Sequence, residues 1–230
     1  MSVVLQQQAG TLTARPAGRG GGPPPLGDAL SAAARHKRVA DDRHLHSRPM
    51  ADALVIVDFQ NDFTPGGALA VPEGDAIAQR LNELAASGRF DLVVATRDWH
   101  PPEHSSFAVQ GGPWPAHCVA GSEGAQLHPG LDAALVDKVV DKGTDPATEG
   151  YSGFDGTDLA TLLRDRGIER VTVAGLATDY CVRATALDAL EAGFAVTVDD
   201  TASRGIDPET SARALDEVRA AGGDVGSAET

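Results

Sequence analysis

The sequence predicts an α/β domain over residues 51–230, built as three layers with a mainly parallel central sheet and helices on both faces. Three observations predict this fold class. Short apolar runs typical of buried strands alternate with segments of helical apolar spacing. Turn residues separate the two kinds of segment. Apolar strands flanked by amphipathic helices are typical of a parallel sheet that is covered on each side.

The predicted elements follow one another from Met50 almost to the end of the chain. In order they are strand 53–59, helix 73–87, strand 91–96, strand 136–142, helix 156–167, strand 169–176, a helix opening near Cys181 and stopping at Gly193, strand 194–200, and a helix from about Pro208 to Gly222. After this helix only Asp224 and Val225 are available to a further edge strand. That strand is therefore expected to be short or absent.

Residues 1–50 differ from the rest of the chain in composition. They include the run GRGGGPPPLG, lack sustained periodicity and carry a net charge of +4, which leaves −18 for the remainder. Such a segment buries too little apolar surface to offset its chain entropy, so we expect a disordered extension. A transit peptide is one alternative, and translation from Met50 is another. No apolar core of a secretory signal is present.

Composition also limits the partners. A net charge of −14 argues against nucleic acid and against anionic membrane surfaces. No stretch approaches the roughly 20 apolar residues that span a bilayer. Two cysteines in 230 residues suit a reducing compartment, so the cytoplasm is expected. A homo-oligomer remains open, because amphipathic helices can bury against the sheet or against a second copy.

Chemically reactive residues follow four successive predicted strands. The residues in question are Asp58, Asp98 with His100, Lys142 and Cys181. Right-handed crossovers place the carboxyl ends of parallel strands along one edge, where ligands bind in open α/β sheets. Each residue alone is compatible with a cap, a turn or a solvated end. Together they predict one site at this edge.

Cys181 ends the segment GLATDYC, which follows an apolar run and opens a helix. The first turn of a helix has unpaired N–H groups and the positive end of the helix dipole, which favour a thiolate. The position therefore suits a nucleophile. A small buried apolar cysteine is the alternative for an isolated residue.

A second group of residues has the spacing of metal ligands. Asp98 and His100 are two apart in an extended segment, so their side chains point the same way while Trp99 points opposite. His117 completes one carboxylate and two imidazoles, a set that leaves positions open for water or substrate. His104 is a possible additional ligand. The alternative is a polar loop with surface histidines.

Five segments resemble motifs of a known family, the nicotinamidases of the isochorismatase-like cysteine hydrolase superfamily. They occur in family order as VDFQNDFTPGGALAVP, ATRDWHP, GGPWPAHC, YSGFDGTDL and GLATDYCVRATALDAL. The resemblance covers nearly everything from about Ala53 to Gly222. It implies an isochorismatase-like, Rossmann-type fold and, in the cytoplasm, hydrolysis of nicotinamide to nicotinic acid and ammonia.

The resemblance also implies roles for particular residues. Asp58, Lys142 and Cys181 match the catalytic triad. The matching metal ligands are Asp98, His100 and His117, for one divalent ion, with zinc favoured over iron or manganese. The oxyanion hole is matched by the backbone N–H groups of Ala177 and Cys181, with a cis Leu176–Ala177 peptide, and the aromatic walls by Phe63, Trp114 and Tyr151.

Together these residues predict a metal-assisted cysteine amidohydrolase that forms a thioester and also accepts pyrazinamide. A pyridine nitrogen can occupy an open metal position, which fixes the ring over the sulfur. Two alternatives remain. One is a related amide or ureido hydrolase with the same triad, and the other is a non-catalytic, metal-stabilised binding domain.

Overall fold

The computed structural model describes residues 50–228. The strands are β1 (Ala51–Val57), β2 (Leu92–Asp98), β3 (Lys138–Lys142), β4 (Ile168–Leu176), β5 (Ala195–Arg204) and β6 (Asp224–Val225), and the helices are α1 (Ala78–Ala86), α2 (Leu159–Asp165), α3 (Arg183–Glu191) and α4 (Pro208–Ala220). Apart from Met50, the extension expected over residues 1–50 lies outside the described residues. None of the helices within 50–228 combines the length and the apolar composition that crossing a bilayer requires.

The six strands form one sheet in the order β3-β2-β1-β4-β5-β6, and every neighbouring pair is parallel. The predicted parallel α/β fold is therefore confirmed. From β1 the chain first builds the sheet toward β3 and then crosses to β4 on the other side. The order of the strands reverses between β1 and β4, the position at which open α/β sheets form their ligand crevice.

Strand β1 shows how the two faces of the sheet are covered. Ala53, Val55 and Val57 point into one core cluster, while Leu54 and Ile56 point into the other. The first cluster also holds apolar residues of α2, α3 and α4, and the second holds those of α1. Because both faces are buried, the strand is continuously apolar, as the sequence indicated.

Some elements differ from their predicted bounds. A 3-10 turn, Gly74–Ile77, precedes α1, so the α-helix proper is shorter than the predicted 73–87. β5 extends four residues beyond the predicted end at Asp200, into a polar run. There the carboxylate of Asp199 accepts hydrogen bonds from the N–H groups of Thr201 and Ala202. The edge strand β6 forms but has only two residues.

Gly175 allows β4 to lie directly beside β1 just before the site. Its φ is +125°, and it pairs with Val57 at a register shift of the β4–β5 ladder. A Cβ atom there would lie 2.1 Å from the carbonyl oxygen of Val57 and 2.7 Å from its nitrogen. Only glycine fits both the conformation and the space.

We therefore expect Gly175→Ala to lower the free energy of unfolding by about 2 kcal/mol or more, through steric overlap with β1. Gly226→Ala is the matched control, because a Cβ there meets nothing within 4 Å, and its effect should stay within about 0.5 kcal/mol. Urea denaturation followed by circular dichroism measures both. Equal stabilities of the two variants would contradict this view of the β1–β4 contact.

Candidate active site

The reactive side chains predicted to lie together at one edge of the sheet are found there. Asp98 and Lys142 are the last residues of β2 and β3 and are directly paired in the ladder. Asp58 follows β1, and Cys181 lies in the helical turn that follows β4. All four side chains are buried. The site therefore lies at the carboxyl ends of four adjacent strands, beside the β1–β4 switch point.

The ammonium group of Lys142 contacts each of the other three residues. Its Nζ lies 2.8 Å from Asp58 Oδ2, 2.6 Å from Asp98 Oδ1 and 3.5 Å from Cys181 Sγ. A fourth neighbour is the carbonyl oxygen of Gly150, at 3.0 Å. Burial alone would lower the pKa of Lys142, but the two carboxylates outweigh burial and raise it well above its usual value. Lys142 is therefore a fixed positive charge.

The ammonium group donates hydrogen bonds to Asp98 and to the carbonyl oxygen of Gly150 and makes a longer contact with Cys181. Asp58 Oδ2 is held by its ion pair with the same group. The other oxygen, Oδ1, accepts a hydrogen bond of 2.7 Å from the hydroxyl group of Thr96. The carboxylate is thus oriented on both sides, while Oδ2 keeps a lone pair that can take a proton.

The carboxyl group of Asp58 has a pKa that suits proton transfer near neutral pH. Its complete burial raises the pKa of the carboxyl group to about 6, even though Lys142 opposes the shift. Its backbone has a φ of 48°, which is uncommon for a non-glycine residue. Such backbone conformations concentrate at functional sites.

Cys181 lies in a five-residue π-helical turn, Thr178–Val182, which continues directly into α3. Single π-helical turns of this kind are frequent at functional sites. The expectation that its position favours the thiolate is wrong. Burial, followed by the charges of Asp58 and Asp98, raises the pKa of the thiol well above its usual value, although Lys142 lowers it. This direction favours the neutral thiol, which would need a base to become a nucleophile.

The predicted metal ligands converge. One ligand atom each from Asp98, His100 and His117 lies within 4.8 Å of the other two. His100 and His117 direct Nδ1 to the carbonyl oxygens of Gly143, at 2.9 Å, and Pro115, at 2.8 Å. A carbonyl accepts only from a protonated Nδ1, so each imidazole, in its neutral form, has its Nε2 lone pair available for a metal. Burial would lower the pKa of His100, but Asp98 outweighs burial and raises it.

Asp98 joins the two groups of residues. Its Oδ1 binds Lys142, and its Oδ2 lies 3.4 Å from Nε2 of His100. Burial would raise the pKa of this carboxyl group, but Lys142 and His100 outweigh burial and hold it well below its usual range. Burial lowers the pKa of His117, which favours the neutral ligand form. The carboxylate of Asp98 therefore remains charged. One of its oxygens faces the ammonium group of Lys142, and the other faces His100 and the predicted metal site.

His104, the possible additional ligand, lies beside this set but not within it. Its ring is stacked at 4.0 Å, centroid to centroid, on the ring of His100. Its Nδ1 is 2.7 Å from the hydroxyl oxygen of Ser106. The group of ligand atoms within 4.8 Å of one another contains Asp98, His100 and His117 without His104.

An open cavity of about 480 Å³ is lined by Cys181 and by the three predicted metal ligands. Its walls include the three predicted aromatic residues, Phe63, Trp114 and Tyr151, as well as Tyr180. The indole N–H of Trp114 donates a hydrogen bond of 3.0 Å to the hydroxyl oxygen of Tyr151, and the ring of Tyr180 meets Trp114 edge to face. This fits a flat, ring-shaped ligand.

Ala177 and Cys181 both line the cavity, and the Leu176–Ala177 peptide bond is cis, as expected. The carbonyl oxygen of Ala177 accepts hydrogen bonds from the N–H groups of Tyr180 and Val182. These bonds fix the turn that presents the thiol to the cavity.

Sequence reasoning missed two supporting residues, Gln60 and Thr96. The buried side chain of Gln60 accepts from the N–H of Asp98 and donates to its carbonyl oxygen, both at 2.8 Å. Thr96 orients Asp58, as described above. Both residues could have been noticed in the sequence, because each is a polar residue at the end of an apolar strand. Their partners lie 38 positions away, and only the fold identifies them.

Comparisons with known proteins agree with this geometry. The family profile of the isochorismatase domain matches residues 52–230. A nicotinamidase of Escherichia coli (strain K12) is 45% identical over 195 residues, which cover 74% of this chain and 92% of that protein. The pyrazinamidase of Pyrococcus horikoshii, solved in complex with zinc, is 50% identical with a TM-score of 0.72, over 77% of this chain and 99% of that one. PnC1 from L. infantum, solved in complex with nicotinate, is 40% identical with a TM-score of 0.75, over 77% and 93%.

The hydroxyl group of Thr96 is expected to orient Asp58. Thr96→Val keeps the shape of the side chain but removes the donor, and should lower the kcat of amide hydrolysis about 10-fold or more with little change in KM. Thr96→Ser keeps the donor and should stay within about 3-fold of the unsubstituted protein. Steady-state ammonia release measures both. Activity retained in Thr96→Val but lost in Thr96→Ser would indicate that the packing of the methyl group, and not the hydroxyl donor, is what matters.

The protonation of Asp58 should control the reactivity of Cys181. Below pH of about 6 the Asp58 carboxyl group is protonated and cannot accept the thiol proton, so alkylation of Cys181 by iodoacetamide should rise through about pH 6 and then level off. The rate is measured on chelated protein by mass spectrometry of the Cys181 peptide.

Asp58→Asn is the control for this profile, because an amide cannot take the proton. It should remove the step near pH 6 and leave a rate that rises only at alkaline pH. Retention of the step in Asp58→Asn would assign it to another group.

Proposed function

The chain belongs to the isochorismatase family, and on that basis we propose that it hydrolyses nicotinamide to nicotinic acid and ammonia. The observation that carries the proposal is that two groups of residues meet beside one cavity: a thiol with a carboxylate and an ammonium group, and a carboxylate with two imidazoles. Asp98 belongs to both. The nicotinamidase and pyrazinamidase relatives support the same activity.

The donor set fits one divalent metal ion. One carboxylate and two imidazoles, each imidazole with Nδ1 held by a carbonyl, are ligands that suit zinc, and they also suit iron or manganese. We assign zinc, supported by the zinc complex of the Pyrococcus horikoshii relative. A cation held by Asp98, His100 and His117 supplies an electron-pair acceptor for the pyridine nitrogen.

The cavity walls position the ring. Phe63, Trp114, Tyr151 and Tyr180 provide flat apolar surface, and the Trp114–Tyr151 hydrogen bond holds two of these side chains in fixed orientations. A nicotinamide ring held between these walls places its carboxamide group toward the thiol of Cys181, which lines the same cavity. Orientation of this kind lowers the barrier without any new bond.

The first half of the reaction forms a thioester. Asp58 takes the proton of the Cys181 thiol, and the sulfur attacks the carboxamide carbon. The backbone N–H groups of Ala177 and Cys181 stabilise the developing oxyanion. Asp58 then returns the proton to the nitrogen, the C–N bond breaks, and ammonia leaves.

The second half releases the acid. Asp58 takes a proton from water, the resulting hydroxide attacks the thioester carbon, and the sulfur leaves with the proton of Asp58. Lys142 holds the Asp58 carboxylate in place and stays charged throughout. Since the thiol of the resting protein is neutral, every step of sulfur chemistry depends on proton transfer with Asp58.

We assign the activity to residues 51–230 and its setting to the cytoplasm, in salvage of nicotinamide toward pyridine cofactors. Both cysteines are buried and unpaired, which suits a reducing compartment. Every side chain used in the proposed mechanism comes from a single chain.

Ammonia release from nicotinamide by purified protein tests the proposal. We expect turnover of nicotinamide and pyrazinamide, loss of turnover on chelation and recovery on addition of zinc. Cys181→Ala should lower kcat by about 10³-fold or more, since it removes the nucleophile, while metal content remains at the level of the unsubstituted protein. Turnover of linear amides with none of nicotinamide would instead favour a related amide hydrolase of the family.

A further inference from the structure

The atoms around the ammonium group of Lys142 are of the types that bind metal ions. They are two carboxylate oxygens, of Asp58 and Asp98, the sulfur of Cys181 and the carbonyl oxygen of Gly150. Asp58, Asp98 and Cys181 each offer a ligand atom within 4.8 Å of the other two, a distance limit that the set containing His100 and His117 also meets. All three are buried.

We propose that Lys142 has a second role: its ammonium group occupies what would otherwise be a second metal position and so keeps divalent ions away from the nucleophile. Nζ lies within 3.5 Å of all four atoms. A metal ion bound to the same atoms would need the space that the ammonium group fills. The fixed charge of Lys142 also repels a second cation.

The arrangement of Asp98 makes such protection necessary. Its two oxygens face two cation positions, Oδ2 toward His100 and Oδ1 toward Lys142. A divalent ion bound beside Oδ2 would be separated from the thiol of Cys181 only by the carboxylate of Asp98. Thiolates are strong ligands for zinc and other soft ions. Coordination would occupy the sulfur lone pair that attacks the substrate.

A tethered ammonium group can satisfy the two carboxylates without blocking the sulfur. It donates only a long contact, 3.5 Å, to Cys181 Sγ, whereas a zinc–sulfur bond is about 2.3 Å. Lys142 itself is almost completely buried. Removal of its side chain would leave two carboxylates and a thiol in a buried space without their cation, and such groups take up protons or a metal ion.

Cobalt(II) is a suitable probe, because a cobalt–thiolate bond gives a near-ultraviolet charge-transfer band. Metal-free protein is loaded with excess Co²⁺, desalted and measured for bound cobalt and absorbance. The unsubstituted protein and Cys181→Ala should each hold about one ion per chain without the band, and Lys142→Ala should hold about two with the band. The double variant Lys142→Ala/Cys181→Ala should lose the band.

A folded Lys142→Ala protein that holds about one ion and shows no band would overturn the proposal, with folding checked by circular dichroism. The unsubstituted protein provides a test that does not depend on the variant. After the first site is filled, further Co²⁺ should not slow alkylation of Cys181 by iodoacetamide. Protection that grows with excess Co²⁺ would contradict the proposal. Neither readout involves amide turnover, so the result is independent of the proposed function.

Discussion

The buried ammonium group of Lys142 is the interaction on which the rest of the site depends. Two carboxylates buried beside a thiol would be strongly unfavourable without a cation among them. Lys142 supplies that cation from the end of β3 and contacts Asp58, Asp98 and Cys181 at once. It keeps Asp98 ionised and leaves Oδ2 of Asp58 free to exchange a proton. The proposed nucleophile, its proposed base and the proposed metal ligands are thus parts of one electrostatic unit.

The sheet explains how this unit is assembled. Four adjacent parallel strands end at the same edge, and each contributes a side chain or the turn that carries it. The pair of Val57 and Gly175, where a Cβ atom would overlap β1, lies directly before Asp58 and shortly before the turn of Cys181. The loop after β2 then supplies the second imidazole and an aromatic wall through His117 and Trp114. Rigid strands therefore fix the proton-transfer groups, whereas a longer loop completes the ligand pocket.

Much of this could be predicted from the sequence, because strand ends and side-chain direction follow from periodicity. The positions of Asp58, Asp98 and Lys142 at one edge required only the rule for parallel strands. The protonation state of Cys181 could not be predicted, since it depends on burial and on two carboxylates distant in sequence. Gln60 and Thr96 were missed for a similar reason, as their roles are defined by partners on another strand. The extent of β5 depends on the hydrogen bonds of Asp199 rather than on any apolar pattern.

In the proposed reaction Cys181 carries the acyl group of the substrate during turnover. This is tested by rapid mixing of metal-loaded protein with excess nicotinamide, followed by quenching in acid and mass spectrometry of the peptides. We expect a nicotinoyl group on Cys181 that appears before steady-state turnover and is absent when substrate is omitted. A nicotinoyl group on another residue, or formation of nicotinic acid with an unmodified Cys181 at every time point, would contradict it.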